Sequence, residues 1–307
     1  MLKEQINHGI RVSAALALRH IPELSGRWQV AGLVNRHFAP ISQTLCTACV
    51  RMRMGHEMLV DLRSDTESRA YYLGDFDTED IRSALRLIRA DSTVLDVGAN
   101  IGFWSIPLAR HLTGKGCLHA FEPVPSNCNR LAENVRRNSL ESTIHIHQSG
   151  LSDQNRSLQI SLREDFANGS ETGNAAIVID SDDLRFRCAE IRVNRLDDLF
   201  DSLGASSIDF TKADIEGHEP KFLLGALDIV HRFRPILYLE INRSYYERQS
   251  SDPLAAFEDW LSVNSYRAAL RKKGKWRLDA VRNCKPLDNV FFLPSEIGIE
   301  CVSSLNC

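Results

Sequence analysis

The sequence predicts an α/β fold with a mostly parallel sheet and helices on both faces, and three observations support this prediction. Strand-like apolar segments alternate with amphipathic helices from residue 93 onward. A glycine-bearing turn, in the segment VLDVGANIG at residues 94–102, follows the first of these strands, and an acid, Glu122, follows the second. Alternation of this kind makes the strands parallel, and ligands of such sheets bind beyond the carboxyl ends of the strands.

The segment ahead of this alternation has a different character. Residues 1 to about 55 are predicted to be mainly helical and carry no chemical motif. The segment EMLVDLRSD at residues 57–65 alternates apolar and polar residues, as a half-buried strand does. Residues 78–89 have the pattern of an amphipathic helix with Thr78 as its N-cap. We therefore predict a helical extension over residues 1–55 and one domain over residues 56–307.

The sheet itself is predicted from the strands and helices that follow. The first strands are residues 93–97, 116–121 and 143–148, with helices at 103–112 and at 126–138, the latter capped by Ser126. Residues 155–195 interrupt this rhythm and are interpreted as an inserted hairpin or loop in a position to cover the site. The alternation resumes with strands 208–213 and 235–241, helices 219–230 and 255–263, and two antiparallel strands at 266–271 and 289–293.

Charge and cysteine content limit the function classes. The 37 Lys and Arg residues against 40 Asp and Glu give a formal net charge of -3, which offers no electrostatic reason to bind nucleic acid. The basic run from Arg271 to Arg277 is interpreted as a solvated hairpin. Eight scattered cysteines indicate reduced thiols in a cytoplasmic protein, and the pair Cys46 and Cys49 is interpreted as helix-face packing.

The apolar stretch VSAALAL at residues 12–18 raises the question of membrane contact. No apolar run reaches the roughly 18 residues that a transmembrane helix needs. Because Arg11 and Arg19 flank the stretch, a peripheral membrane helix stays open as an alternative. Packing of this helix on the domain or on a partner is the favoured interpretation, and the sequence leaves a homo-oligomer open.

The glycine turn predicts a cofactor site. Glycine lets the chain turn tightly and approach a ligand closely, and the helix that follows presents free backbone N–H groups. Gly98, Ala99, Asn100 and Gly102 form this turn, with Asn100 where a dinucleotide motif has its middle glycine. A ligand with a ribose and an amino-acid tail but no phosphate fits this turn better, which favours S-adenosylmethionine. Glu122 is placed to accept both ribose hydroxyls.

Residues 57–294 resemble the FkbM-type methyltransferases. The resemblance rests on VLDVGANIGFWS, AFEPVPSN, QSGLSD, VNRLDDL, DFTKADIEGHEPKFLLGA and RPILYLEIN, in this order and spacing. It implies a class I methyltransferase with a Rossmann-like, seven-stranded sheet that uses S-adenosylmethionine. It also implies O-methylation of a hydroxyl on a sugar, a glycan or a related natural product.

The resemblance assigns the cofactor residues by position. Asp96, Gly98, Asn100 and Gly102, with Ala99 between them, would line the methionine and ribose end. Glu122 would bind the ribose hydroxyls. Gly150, Leu151 and Ser152 follow the third strand, where the adenine would lie.

The segment KADIEGHE carries the catalytic candidates. An acceptor hydroxyl is a weak nucleophile, so a general base should help the transfer. Asp214 is ranked first for this role, Glu216 second and His218 third, with Lys212 expected to pair with Asp214 or Glu240. Glu216 is alternatively expected to brace the turn, and His218 to lie on the surface. No metal is favoured, although Asp214, Glu240 and Asn242 offer oxygen ligands that would suit magnesium or calcium.

Two other functions remain open from the residues themselves. One is an NAD-dependent oxidoreductase on a similar sheet, against which Asn100 counts. The other is a non-catalytic protein that binds cofactor and interacts with a partner through residues 1–55.

Overall fold

The N-terminal segment contains two helices and a strand pair. The computed structural model describes residues 2–20, 26–38, 40, 46–252 and 254–306, so parts of the predicted extension, residues 21–25, 39 and 41–45, lie outside the described residues. The first elements are α1 (Leu2–His20), α2 (Arg27–Phe38), β1 (Thr47–Arg51) and β2 (Glu57–Asp61). Strand β1 was not predicted; it pairs antiparallel with β2 and places Val50 opposite Met58, both of which are buried.

The two arginines that flank the apolar stretch of α1 are used inside the protein. Arg11 is 1% exposed and donates to the carbonyl oxygen of Phe38 while pairing with Glu4. Arg19 donates to the carbonyl oxygen of Tyr71. In the described residues, every helix is too short or too polar to cross a membrane.

The first half of the main sheet follows the predicted alternation. Its elements are α3 (Asp65–Leu73), α4 (Thr78–Leu85), β3 (Thr93–Val97), α5 (Ser105–Ala109), β4 (Cys117–Phe121), α6 (Pro125–Arg137) and β5 (Ile144–His147). Both predicted N-caps were wrong. Asp77 precedes α4 in a left-handed conformation (φ 46°) without a capping hydrogen bond, and Val124 precedes α6, where Pro125 takes the first helical position.

The insertion is larger than the single hairpin predicted. It contains β6 (Gly150–Leu151), β7 (Arg156–Leu162), α7 (Glu164–Ala167), β8 (Ala175–Ile177) and β9 (Cys188–Asn194). Strands β7 and β9 form the expected antiparallel hairpin, but within the described residues β6 and β8 extend it to a four-stranded sheet in the order β6-β9-β7-β8. This sheet has a small apolar core of its own around Ile160 and Val193.

The remaining elements complete the main sheet. They are α8 (Leu196–Leu199), β10 (Phe210–Ala213), α9 (Glu219–Leu224), α10 (Leu227–Phe233), β11 (Ile236–Asn242), α11 (Arg243–Glu247), α12 (Ala255–Val263), β12 (Tyr266–Lys272), β13 (Lys275–Leu278), β14 (Leu287–Pro294) and α13 (Gly298–Leu305). Short 3-10 turns lie at Asp183–Arg185, Phe200–Leu203 and Val281–Asn283. The single helix predicted for residues 219–230 is two helices with Gly225 and Ala226 between them. A Cβ on Gly225 would lie 1.8 Å from the carbonyl oxygen of Ser152, so only glycine fits there.

The predicted α/β fold is confirmed. In the described part of the chain the main sheet has eight strands in the order β13-β12-β14-β11-β10-β3-β4-β5, one more than the seven implied by the family resemblance. Strands β11, β10, β3, β4 and β5 are mutually parallel, while β14 runs antiparallel between β11 and β12. Apolar clusters cover both faces of the sheet, which leaves the carboxyl ends of the parallel strands as the open edge.

Candidate active site

A cavity of about 730 Å³ opens at the carboxyl ends of the parallel strands. It brings together residues that are far apart in the sequence and that belong to both halves of the predicted site. The predicted residues that line it are Gly98, Ala99, Asn100, Glu122, Gly150, Leu151, Asp214, Glu216 and His218. Asp96, Gly102 and Ser152 do not line it.

The glycine turn packs against the loop that follows β10. Gly98 adopts φ 77°, and a Cβ there would lie 2.1 Å from the carbonyl oxygen of Asp214. The backbone N–H groups of Gly98 and Ala99 both donate to the carbonyl oxygen of Phe121, at 2.9 and 3.0 Å. The turn therefore joins the ends of β3, β4 and β10, and only a residue without a side chain fits at position 98.

Asp96 and Gly102 support the turn from behind. Asp96 is fully buried, accepts from the Ser105 hydroxyl at 2.6 Å and pairs with the Lys212 ammonium at 3.3 Å. Lys212 also donates to the carbonyl oxygen of Gly98 at 3.1 Å. At Gly102 a Cβ would lie 2.6 Å from Leu131 Cδ1, so this glycine makes room for helix α6.

Lys212 keeps its charge despite complete burial. Burial alone would lower the pKa of its ammonium, but the carboxylates of Asp96 and Asp214 outweigh this effect and raise the pKa above its usual value. The Asp214 carboxylate lies 3.8 Å from the Lys212 nitrogen. Lys212 therefore pairs more closely with Asp96, a partner that the sequence did not predict, than with the expected Asp214.

Glu122 presents a buried carboxylate to the cavity. Its Oε2 accepts from the backbone N–H of Asn100 at 2.8 Å, and its Oε1 accepts from that of Val124 at 2.9 Å and from the Asn127 side chain at 3.2 Å. Burial raises the pKa of Glu122 to about 7, against these hydrogen bonds. Because a carboxylate offers about four acceptor sites, one remains free to accept a ligand hydroxyl.

Of the three acids in the KADIEGHE segment, Asp214 and Glu216 line the cavity and Glu219 does not. Asp214 is 42% exposed at the cavity, and Glu216, with φ 54°, also lines the cavity. Burial and the neighbouring Asp214 raise the pKa of Glu216 to about 7. The residue that braces the turn is Glu219, which accepts from the backbone N–H of Ile215 at 2.8 Å and from the Tyr246 hydroxyl at 2.6 Å.

His218 is half-buried at the cavity wall. Its Nε2 lies 2.9 Å from the Ser152 hydroxyl, so two residues predicted for different roles are hydrogen-bond partners. Burial lowers the pKa of His218 to about 4, which leaves the imidazole neutral at pH 7.

Glu240 faces the same cluster of acids, from the end of β11. Burial, reinforced by Asp214 and Glu216, raises its pKa to about 10, so it is a neutral acid near pH 7. The alternative metal set is not assembled around it: Asn242 does not line the cavity, and its side-chain oxygen accepts from Ser244 at 2.7 Å. Among the described residues, no three His, Cys, Asp or Glu side chains lie together in a way that could hold a metal ion.

An aromatic wall, which the sequence reasoning missed, lines the end of the cavity near Glu240. Phe76 stacks on Phe103 at 4.2 Å between ring centroids, and Trp104 lies 4.8 Å from Tyr238. Asn127 and Asn174 were also missed. Asn127 lies inside the AFEPVPSN motif, which could have identified it as a site residue, whereas no local pattern marks Asn174.

The end of the cavity at Asn100 and Glu122, which we call the donor end because the methyl donor is expected there, fits a ligand with hydroxyl and N–H groups. The Oδ1 atom of Asn100 is buried and has no hydrogen-bond partner among the described residues, so it is an acceptor that lacks a donor. Glu122 adds a second acceptor on the same wall. The volume lies within the range of about 300–1,000 Å³ that is usual for small-molecule sites.

Comparison with protein families agrees with the cofactor site that the geometry indicates. The family model of the "Methyltransferase FkbM domain" matches residues 96–271, which is more than half of the chain. The chain belongs to the FkbM methyltransferase family. The resemblance predicted from the sequence motifs is thereby confirmed, and an NAD-dependent oxidoreductase is set aside.

Individual relatives of this FkbM methyltransferase are distant. The AMB antimetabolite synthetase AmbE of Pseudomonas aeruginosa is 29% identical over 167 residues, which cover 45% of this chain and 8% of that protein. The crystal structure of an FkbM methyltransferase from Methylobacillus flagellatus KT is 19% identical, with a TM-score of 0.45, and covers 92% of this chain and 58% of its own. An O-methyltransferase from Bacillus cereus in complex with SAH is 15% identical, with a TM-score of 0.41 and coverage of 89% and 91%.

Proposed function

We propose that the chain transfers a methyl group from S-adenosylmethionine to a hydroxyl of a sugar, a glycan or a related natural product. The observation that carries the proposal is that the Gly98 turn and Glu122 line the same cavity as Asp214, Glu216 and Glu240. One wall offers acceptors for a ribose, and the other offers groups that can take up or donate a proton.

The donor end is assigned to side chains that already point into the cavity. S-adenosylmethionine supplies a methyl group that is activated by its sulfonium. Glu122, with one acceptor position free, would accept one ribose hydroxyl rather than the two expected from the sequence, and the unpartnered Oδ1 of Asn100 would accept an N–H of the amino-acid tail. Gly150 and Leu151 line the part of the cavity assigned to the adenine.

Glu216 is the first candidate for the general base, ahead of Asp214. A base works best when its pKa lies near the operating pH, and the pKa of Glu216 is raised to about 7. Asp214, 3.8 Å from the Lys212 ammonium, contributes the negative charge that raises it. Glu240, protonated at neutral pH, can donate a hydrogen bond to a bound ligand, and His218 is hydrogen-bonded to Ser152.

The acceptor end suits an uncharged molecule with several hydroxyls. Aromatic side chains with a few well-placed polar groups are the usual walls of such sites, and Trp104, Tyr238 and Trp276 alternate here with Asp77, Asp80 and Glu240. Burial raises the pKa of Asp77 to about 6, and its carboxylate accepts from the Trp104 indole N–H at 3.2 Å. All seven cysteines in the described residues are free thiols, which supports the cytoplasmic location we propose.

Calorimetric titration with S-adenosylhomocysteine tests the donor assignment without requiring the acceptor. We expect the wild-type chain to bind it and Glu122→Ala to bind about 1–3 kcal/mol more weakly, the usual cost of a lost charged hydrogen-bond partner. Glu296→Ala, which removes an acid paired with Arg234 outside the cavity, is the matched control and should bind normally. Absence of binding by the wild-type chain would refute the proposal.

The acceptor class is tested by mass spectrometry. The chain and S-adenosylmethionine are incubated with a panel of cell-derived glycans and lipid-linked sugars, and a mass gain of one methyl group is sought. Transfer only to amines or carboxylates would support methyltransferase activity but would refute a hydroxyl as the acceptor.

A further inference from the structure

Asn174, in the loop ahead of β8, joins the two halves of the candidate site. Its Nδ2 donates to Glu216 Oε1 at 2.9 Å, and its Oδ1 accepts from Asn100 Nδ2 at 3.2 Å. An ionised carboxylate only accepts, so Asn174 must turn its NH₂ group toward Glu216 and its oxygen toward Asn100. Asn100 must then use its own NH₂ group on Asn174, which leaves its Oδ1 for a donor on the ligand.

The residue before Asn174 is held by the donor end of the cavity. Asn127 donates to the carbonyl oxygen of Gly173 at 3.0 Å and accepts from its N–H at 3.2 Å. The same Asn127 amide donates to Glu122 Oε1. A Cβ on Gly173 would lie 2.6 Å from Asp165 Cβ, so the loop is packed without spare room at this point.

Behind Gly173 the loop is fixed to the N-terminal part of the chain. The Thr172 hydroxyl donates to Glu67, and both side chains are at most 2% exposed. The Ser64 hydroxyl and the backbone N–H of Asp65 both donate to the Asp165 carboxylate, at 2.7 and 2.9 Å. We call these contacts between residues 61–67 and 165–172 the anchor. Hydrogen bonds to buried carboxylates are among the stronger ones in proteins.

The anchor explains how an exposed amide is kept in place. Asn174 is itself exposed, and water competes for the hydrogen bonds of an exposed side chain, so its two contacts alone contribute little order. The buried contacts of Thr172 and Asp165 restrict the backbone on which Asn174 is carried. Residues 61–67 precede the region matched by the family model, which begins at residue 96.

We infer that Asn174 is a positioning residue that aligns Glu216 with Asn100, and that the anchor from residues 61–67 holds it there. The inference rests on the proposed function for the roles of Glu216 and Asn100. It makes residues 61–67, from the end of β2 to the start of α3, a structural part of the proposed active site through Glu67 and Ser64.

Three variants of the full-length chain test the anchor. Thr172→Val removes the hydroxyl that reaches Glu67, Thr172→Ser retains it, and Ser161→Ala removes a comparable buried hydroxyl hydrogen bond, to the Asp183 carbonyl, elsewhere in the insertion. Hydrogen–deuterium exchange is followed by mass spectrometry with and without S-adenosylhomocysteine. In Thr172→Val we expect about tenfold faster exchange at residues 168–177 and also at residues 214–219, whereas Thr172→Ser and Ser161→Ala behave like wild type at both segments.

Asn174→Ala tests the positioning role with the anchor intact. Because the Asn174 side chain is exposed, we expect this variant to fold normally. We expect wild-type exchange at residues 165–172, faster exchange at 214–219, and about fivefold weaker binding of S-adenosylhomocysteine. Wild-type binding and exchange at 214–219 in both Asn174→Ala and Thr172→Val would overturn the inference. If the wild-type chain bound no S-adenosylhomocysteine, the proposed function would fail, while exchange in the free protein would still decide on the anchor.

Discussion

At the scale of single residues, Gly98 and Gly114 separate backbone strain from crowding. Both have positive φ, 77° and 63°, but a Cβ on Gly98 would meet the Asp214 carbonyl at 2.1 Å, whereas nothing lies within 4 Å of one on Gly114. We expect Gly114→Ala to lower the free energy of unfolding by about 1 kcal/mol, the cost of the left-handed conformation. Gly98→Ala should cost about 1–3 kcal/mol more, because the backbone it meets has to move.

Urea unfolding of the two variants measures this difference. Equal unfolding free energies, with unchanged dependence on urea concentration, would mean that the loop after β10 yields without cost and that position 98 is not restricted by packing.

Glu216 and Asp214 differ in what their loss does to the pH dependence of turnover. A general base must be deprotonated, and the pKa of Glu216 is raised to about 7, so turnover should rise between pH 6 and pH 8. Glu216→Gln should lower kcat by about 10²–10⁴ and remove this rise. Asp214→Asn should lower kcat strongly while changing the free energy of unfolding little. It should also move the rise in turnover to lower pH, because the Asp214 charge contributes to the raised pKa of Glu216.

The pH profile of kcat in the three proteins provides the measurement, once an acceptor is in hand. Loss of the rise in Asp214→Asn, with the rise preserved in Glu216→Gln, would return the general base to Asp214.

At the scale of elements, strands β4 and β5 carry a stack of three histidines. His119 Nδ1 lies 3.0 Å from His147 Nε2, and the His145 ring lies 5.1 Å from that of His119. Burial, with His147 and His145 nearby, lowers the pKa of His119 from 6.5 to about 4. The folded chain therefore keeps His119 neutral while the unfolded chain binds a proton, so this residue's contribution to stability is lost as pH falls from about 6.5 toward 4.

The prediction concerns the difference in unfolding free energy between pH 7 and pH 5. His119→Leu should lose less stability over this interval than wild type, because it no longer has a proton to gain on unfolding. His231→Asn, at an exposed position on α10, is the control and should follow wild type. Parallel curves for His119→Leu and wild type would contradict the assignment.

Periodicity predicted the long, regular elements and missed those that depend on partners. Strand β3 and helix α12 have the predicted bounds, because each shows a clean apolar pattern over its whole length. Strand β8 has three residues and exists only because β7 pairs with it. Strand β13 lies in the basic run, where the turn at Gly274 is followed by exposed Lys275 and Arg277 on either side of buried Trp276. The alternation of exposed and buried residues that is typical of a strand was missed because most residues of this run are charged.

At the scale of the whole molecule, the cavity is bounded by the main sheet and by the four-stranded sheet of the insertion, so a ligand there is bound only by the folded chain. S-adenosylhomocysteine at 100 times its dissociation constant should raise the free energy of unfolding by about 2.7 kcal/mol. Glu122→Ala, at the same ligand concentration, should gain less. The measurement is urea unfolding with and without ligand, and an unchanged midpoint in the wild-type chain would show that the native state does not bind it.

Most of the site residues that the sequence predicted line the candidate cavity, but the contacts that several of them make were not predicted. Motif position marked Asp96 and Gly102, yet Asp96 binds Lys212 and Ser105 behind the turn, and Gly102 makes room for Leu131. Asn174 is 74 residues from Asn100, and only the three-dimensional path of the insertion brings them together. Contacts of this kind depend on tertiary packing, which no local pattern records.

Strand β14 is the last strand of the described chain, yet it lies in the interior of the main sheet, between β11 and β12. During synthesis on the ribosome, β11 and β12 emerge before the strand that separates them. Until β14 emerges, each has one edge with unpaired backbone N–H and C=O groups. Asp288 and Asn289 of β14 line the cavity, so the pocket is complete only after residue 289 has left the exit tunnel. A chain truncated before β14 would present unpaired edges of the sheet, which are templates for aggregation, and would lack one wall of the candidate site.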